Sequence, residues 1–313
     1  MARKRVKFLN REDWLEARGR GIGASEVATI VGLNPYETPY QLWRRKMGID
    51  PPKEMSFLMK AGLYLEDAIS QFFADETGST VIKSSATEFM YISKEKPHLR
   101  VSPDRTYWSA GDKRNESNKQ ILECKSTQMN IDPDDLPKWW FCQLQMNLGV
   151  AQMQRGSLAW LVSGREFGYK EFSFVPDFFA WLTEEADRFW IDNIQGGKEP
   201  PAVTSGDVIM KYARHTDGKV IEADEATLSA YNELKSVRRE FDALKERKAV
   251  LEDKIKFAFG DAEALTYGDA TLATWKAGKD QERFDAKAFQ TAHPDLYREF
   301  IKPVAAPRRF LLK

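Results

Sequence analysis

Two acids and a lysine stand at a spacing that suits chemistry. Asp104 ends the triplet Ser102-Pro103-Asp104, and after a polar loop comes Ile121-Leu122-Glu123-Cys124-Lys125. Side chains alternate across a strand, so an extended run over 120–125 puts Ile121, Glu123 and Lys125 on one face and Leu122 and Cys124 on the other. An Asp, a Glu and a Lys beside an apolar sheet are costly unless something balances them. A divalent metal would balance the acids and free the lysine for the reaction, whereas a buried ion pair would balance them with no chemistry at all. A third acid, Glu66, lies on a helix expected over 57–77, on the side of its apolar stripe Leu65, Ile69, Phe72 and Phe73.

Elimination favours the acids. The three histidines, His98, His215 and His293, form neither a zinc pair nor a general-base motif, and no Ser or Cys has a paired base. Carboxylate oxygens are hard ligands that suit Mg2+ or Mn2+. Two such ions can activate water and stabilise the leaving oxygen of a phosphodiester. Lys125 would then orient that water or neutralise developing charge.

A second candidate is the glycine-rich turn from Arg18 to Glu26, Arg-Gly-Arg-Gly-Ile-Gly-Ala-Ser-Glu, leading into an apolar helix over 27–31 that Gly32 closes, with Ser25 as N-cap. Glycines, a helix start and the cations Arg18 and Arg20 compose a phosphate site, or else an ordinary turn and cap. It is neither a Walker A loop nor a dinucleotide-binding glycine pattern.

These residues need a scaffold, and the chain is long enough for about two domains. It has 313 residues, with 47 basic and 47 acidic side chains, so any basic surface must be local. Its two cysteines, Cys124 and Cys142, are too few for a disulfide framework, an all-cysteine zinc site or a four-thiolate cluster, and read as inert thiols of a reducing cytosol. No apolar run reaches membrane-span length and no signal peptide is seen, so a cytoplasmic protein is expected.

The pattern predicts a basic, mobile arm over 1–8, then one α+β domain over 9–196, a mixed sheet flanked by helices. In that domain Trp14 and Leu15 point inward from a short helix, strands over 81–83, 89–92 and 99–101 form a meander, and a helix over 136–150 carries Trp140, Leu144 and Leu148 at core spacing. Trp139, Gln143 and Met146 face away from that row. A linker follows over 197–222, rich in Pro and Gly at its start. The rest, 223–313, reads as a coiled-coil-like helix over 223–259 with a seam interrupted by Lys248, a hairpin around Gly268-Asp269, a helix over 285–301 and a closing strand over 309–312.

Pro103-Asp104 with Glu123-Cys124-Lys125 resembles the PD-(D/E)xK nuclease signature. Trp14-x3-Arg18, Ile22-Gly-Ala-Ser25-Glu26, Gly62-x3-Glu66-Asp-Ala68 and Gln143-x-Gln145 narrow the resemblance to the phage λ exonuclease / YqaJ-type viral recombinase family, over roughly residues 10–195. The resemblance implies a restriction-endonuclease-like core and a Mg2+-dependent enzyme that digests double-stranded DNA from a 5′ end. Mononucleotides are released, and a 3′ overhang is left for a single-strand annealing protein. It implies that Asp104 and Glu123 hold metal with the main-chain carbonyl of Cys124, and that Glu66 serves a second ion. Lys125 is then the catalytic lysine, and Gln143 positions it or the water. Arg18 and Ser25 match positions that grip the 5′-phosphate, and Arg20 and Gln145 are further candidate DNA contacts. A toroidal trimer in a phage- or prophage-carrying bacterium is also implied. An endonuclease of the same fold, or a non-catalytic DNA-end-binding module, remains the alternative. The residues after 196 lie outside the resemblance.

Overall fold

The computed structural model describes residues 2–51, 55–82, 89–279, 282–302 and 306–312. The chain divides into two compact units, Met1–Lys211 and Tyr212–Lys313.

The first unit runs β1 (Arg3–Lys7), α1 (Arg11–Gly19), β2 (Ile22–Gly23), α2 (Ala24–Ile30), α3 (Pro39–Lys46), α4 (Phe57–Thr77), β3 (Thr80–Ile82), β4 (Phe89–Ser93), β5 (Leu99–Val101), β6 (Arg105–Trp108), β7 (Gln120–Thr127), α5 (Lys138–Ala151), β8 (Arg155–Val162), β9 (Glu166–Ser173), α6 (Pro176–Arg188) with a wider π-helical turn (Phe189–Gln195), and α7 (Ser205–Lys211). Five strands make a mixed sheet in the order β3-β6-β7-β8-β9, in which only β7 and β8 are parallel. A parallel pair needs a crossover, and α5 supplies it. This is the α+β fold class expected, a mixed central sheet flanked by helices.

Burial on both sides of β7 explains its sequence. Ile121 faces the larger core with Leu144 and Leu148 of α5 and Val27 and Ala28 of α2. Leu122 and Cys124 face the second cluster with Ile69 and Phe73 of α4. Helix α5 is apolar nearly all round, as a helix inside a core must be. Met146 therefore belongs to the core rather than facing away from it. A Cβ on Gly149 would stand 2.3 Å from the Phe179 ring, so only glycine lets α6 pack this closely on α5.

Several expectations need correction. The basic N-terminus is not a loose arm, because β1 pairs antiparallel with β4 and Arg3 and Arg5 lie over the rings of Tyr91 and Phe89. The meander is divided between two sheets: β4 and β5 join a second sheet, β1-β4-β5-β2, while β3 edges the main one. Lys83, assigned to that first strand, lies outside the described residues. Leu15 is exposed, and only Trp14 of the pair is buried. Gly23, not Ser25, caps α2.

The expected linker also begins too early, since α7 belongs to the first unit. Asp207 is fully buried and accepts hydrogen bonds from Thr38 Oγ1 (2.8 Å) and the N–H groups of Val203 and Thr204 (3.1 Å each). Burial alone would raise its pKa, and these bonds hold it below the ordinary carboxylate value.

The second unit contains α8 (Glu225–Phe259), a hairpin β10 (Ala264–Tyr267) and β11 (Ala270–Thr274), α9 (Ala286–Ala292) and α10 (Pro294–Glu299). The hairpin is as expected. The helix over 285–301 is two, because Pro294 cannot continue the hydrogen-bonding of α9. Residues 309–312 form no strand.

One buried pair fastens α2 to α3. Lys46 Nζ lies 2.7 Å and Arg45 Nη1 3.2 Å from the Glu26 carboxylate, which also accepts the Gly23 N–H at 2.9 Å. Burial would raise the Glu26 pKa, but Lys46, Arg18 and Arg45 outweigh it and lower it to about 2. A carboxylate depressed this way stabilises the fold fully above its unfolded pKa, and the contribution fades as pH falls from about 4.5 toward 2. The shift amounts to about 3 kcal/mol at neutral pH. Glu26→Gln should lose about that much in urea unfolding at pH 7 and approach the parent near pH 2. A gap of constant size across that window would disprove the assignment.

Candidate active site

The main sheet brings Glu123, Lys125 and Asp104 together, and α5 completes the cluster. Glu123 has 0% exposure, and both its oxygens are engaged. Oε2 accepts from Lys125 Nζ at 3.0 Å and from the Gln143 amide, and Oε1 accepts from Asn147 Nδ2 at 2.6 Å. Lys125 Nζ also donates to Gln143 Oε1 at 3.0 Å. The alternation of β7 aims Glu123 and Lys125 at α5, and Gln143 and Asn147 sit four apart on that helix, one above the other.

Asp104 enters from the turn between β5 and β6. Its Oδ2 accepts the Cys124 N–H at 2.9 Å, which docks the turn onto β7. Glu66 comes from α4, which packs on the opposite face of the sheet. Its nearest partner is Arg105 Nη1 at 3.5 Å, and Arg105 also holds Asp67 at 2.6 Å. Arg105 is buried, so this cation is part of the charge balance.

Electrostatics couple what the two faces separate. Burial and then the charge of Asp104 raise the Glu66 pKa to about 8, with Glu123 adding to the rise and Arg105 opposing it. Burial and Asp104 also raise Glu123, against the pull of Lys125. Lys125 is itself raised: burial disfavours its charge, but Glu123 and Asp104 more than compensate, so the ammonium persists. Both thiols are buried and pushed up, Cys142 to about 11, as inert cysteines should be.

Among the described residues, no three His, Cys, Asp or Glu side chains stand close enough together to hold a metal ion. The oxygens of Glu123 point at Lys125, Gln143 and Asn147, while Glu66 points at Arg105. The donor chemistry nevertheless fits a hard divalent cation. Burial first, and then the repulsion among three carboxylates, raises two of their pKa values, and a cation would relieve both.

The second candidate lies at the surface, with Ser25 exposed and Arg18 half-buried. Arg18 Nη2 donates to Ser25 Oγ at 2.8 Å, and the Arg18 guanidinium lies 5.2 Å from the centre of the Trp14 ring. Trp14 Nε1 in turn donates to Ser102 Oγ at 3.0 Å, two residues before Asp104. Arg20 is exposed and pairs with Glu16.

Gln145, expected as a further DNA contact, is turned into the core instead. It is fully buried, its Nε2 donates to the Ser173 carbonyl at 2.9 Å, and its Oε1 accepts the Val175 N–H at 2.9 Å, which pins the start of α6. Sequence reasoning left Asn147 and Arg105 without a role, and read Trp14 only as an inward residue and part of the opening motif. Asn147 had a signal, since it lies four after Gln143 on one helix face. The roles of Arg105 and Trp14 depend on contacts distant in sequence. Gln145→Ala should cost about 1–2 kcal/mol of stability by removing two part-buried hydrogen bonds to the backbone and leaving a cavity in the core. Unchanged thermal unfolding would show that the pin does not matter.

Residues 13–154 match the family described as the YqaJ-like viral recombinase domain. The chain is similar to the uncharacterized protein YqaJ of Bacillus subtilis (strain 168), with 28% identity over 320 residues covering 97% of this chain and 95% of that protein. That similarity therefore runs through both units. Among solved structures, the chain resembles an alkaline exonuclease (LHK-Exo) of Laribacter hongkongensis, with 14% identity, a TM-score of 0.46, and coverage of 59% of this chain and 93% of that one. A phage-related exonuclease of Haemophilus somnus 129PT matches with 10% identity and a TM-score of 0.39, over 57% of this chain and 96% of that one. The signature residues Asp104, Glu123, Lys125 and Gln143 all lie within 13–154, the segment that matches the YqaJ-like viral recombinase domain.

Proposed function

We propose that this protein is a Mg2+-dependent deoxyribonuclease that digests double-stranded DNA from the 5′ end and leaves 3′ single strands for recombination by strand annealing. The observation that carries the reading is the Lys125 ammonium held between Glu123 and Gln143 beside Asp104. A structural ion pair needs no third group to aim its lysine. A catalytic lysine does.

In this reading Asp104, Glu123 and the Cys124 main-chain carbonyl hold one ion and Glu66 serves a second, with Mn2+ able to replace Mg2+. Such ions would activate a water and stabilise the leaving oxygen of the phosphodiester. Lys125 offsets negative charge that develops at the phosphorus, and Gln143 keeps its ammonium from collapsing fully onto Glu123. Asn147 fixes the rotation of the Glu123 carboxylate from the far side. Water attacks the phosphorus and the bond to the 3′ oxygen breaks, which puts a 3′-hydroxyl on the released mononucleotide and a 5′-phosphate on the shortened strand. That phosphate is the group Arg18 and Ser25 suit, with Arg20 as a further contact, so each cut recreates the end to be gripped. The Trp14 link to Ser102 supports placing grip and cutting residues in one site. The protein would act in the bacterial cytoplasm beside an annealing protein. No helix among the described residues is long and apolar enough to cross a membrane.

Linear duplex bearing 5′-phosphate should be degraded to mononucleotides in Mg2+, and Lys125→Ala should lower the rate by about 100-fold or more while DNA binding persists. Comparable activity in Lys125→Ala, or no metal-dependent hydrolysis by the parent, would remove the enzymatic reading and leave a DNA-end-binding module. Cutting of a covalently closed circle would instead indicate an endonuclease of this fold. Arg18→Ala should slow digestion of 5′-phosphorylated ends about tenfold more than of 5′-hydroxyl ends, the worth of one charge-assisted contact. An equal loss on both ends would mean that Arg18 does not read the phosphate.

A further inference from the structure

The second unit contains a 35-residue helix whose apolar side chains are left open. Along α8, Leu234, Val237, Phe241, Leu244, Leu251 and Ile255 recur at alternating steps of three and four and are 38 to 65% exposed. Those steps are the a and d positions of a heptad, with a at 234, 241, 248 and 255 and d at 237, 244 and 251. Within this unit, among the described residues, the hairpin meets the end of the helix, where Phe259 packs edge-on against Trp275. An apolar seam of this length in water requires an occupant.

The flanking charges identify one. The g positions carry Glu233, Glu240, Arg247 and Lys254, and the e positions five residues on carry Arg238, Lys245, Glu252 and the uncharged Phe259. When two copies of this helix run parallel and in register, each g residue meets the e residue five positions on in its partner. Glu233 then faces Arg238, Glu240 faces Lys245, and Arg247 faces Glu252. All three are opposite in sign, and symmetry doubles them. Antiparallel pairing along the same seam sets Glu240 against Arg247 and Glu233 against Lys254, but also Arg238 against Lys245, a like-charge contact that the parallel register lacks. Lys248, at an a position, is the polar residue that costs stability but fixes register and limits strand number. Its Nζ already turns outward to Glu252 at 2.6 Å, which leaves its stem along the seam.

We propose that α8 binds a second copy of this chain as a parallel, in-register, two-stranded coiled coil. The inference does not depend on the nuclease reading. Leu244→Cys in the full-length protein, oxidised with copper phenanthroline, should form a disulfide-linked dimer, while Glu246→Cys on the outer face should not. The native thiols, Cys124 and Cys142, are buried and do not interfere. Adding Glu240→Lys to Leu244→Cys should lower the yield several-fold, and adding Lys245→Glu as well should restore it. No disulfide-linked dimer from Leu244→Cys, equal yield from Glu246→Cys, or failure of Lys245→Glu to restore cross-linking would overturn the proposal. The last result would favour an antiparallel or heterologous partner. All four positions are exposed, so loss of folding is not the expected cause of any change.

Discussion

A carboxylate with no exposure at the centre of a sheet must be compensated on every side, and Glu123 sets that condition for the first unit. Burying one uncompensated charge costs several kcal/mol, a large part of a domain's whole stability, so the neighbours of Glu123 are fixed by necessity. Lys125 supplies the cation, and Gln143 and Asn147 supply directed amides. Helix α5 must therefore be polar at two positions one turn apart and apolar almost everywhere else. That accounts for a crossover helix buried all round which still carries an amide pair. It accounts for Gly149 too, since α6 has to come close enough to keep water off this helix.

The same strand divides the site. The parity of β7 gives Glu123 and Lys125 to the α5 side and Leu122 and Cys124 to the α4 side. Glu66, carried by α4, meets Glu123 and Asp104 through their fields more than through contact. Arg105 stands between the acids of α4 and the turn that bears Asp104, donating to the Asp104 carbonyl and to Asp67. The cluster is thus a balance of several charges held by three separate pieces of chain, not a single ion pair.

Much of this was legible because it is local. The period of two in 120–125 places Glu123 and Lys125 on one face, and the stripe on α4 correctly turns Glu66 inward, with a side chain 16% exposed. The motif Gln143-x-Gln145 contains both amides, and the resemblance gave a catalytic place to Gln143 and a DNA contact to Gln145. The two amides differ only in what lies opposite: Gln143 meets a charge pair, while Gln145 meets the free backbone at the start of α6. Tertiary partners also decided what was misread. A basic N-terminus becomes a strand because β4 offers it an edge and two aromatic faces. Residues 205–211 become helix because Thr38, far away in sequence, completes the cap of Asp207. The closing strand expected over 309–312 had suitable residues but finds no pairing partner among the described residues, and a strand without a ladder does not form.

The parallel pairing of β7 with β8 across α5 has a consequence for how the protein is made. Glu123, Lys125, Gln143 and Asn147 all lie on one unbroken β-α-β stretch, Gln120 to Val162. Closing a loop of that length costs little chain entropy, so this stretch can nucleate before the remote pieces arrive. Asp104 and Glu66 then dock onto a surface whose lysine and amides already neutralise Glu123. A chain that folds in this order never buries that acid bare. The costliest group in the fold is carried by the segment best able to solvate it from within.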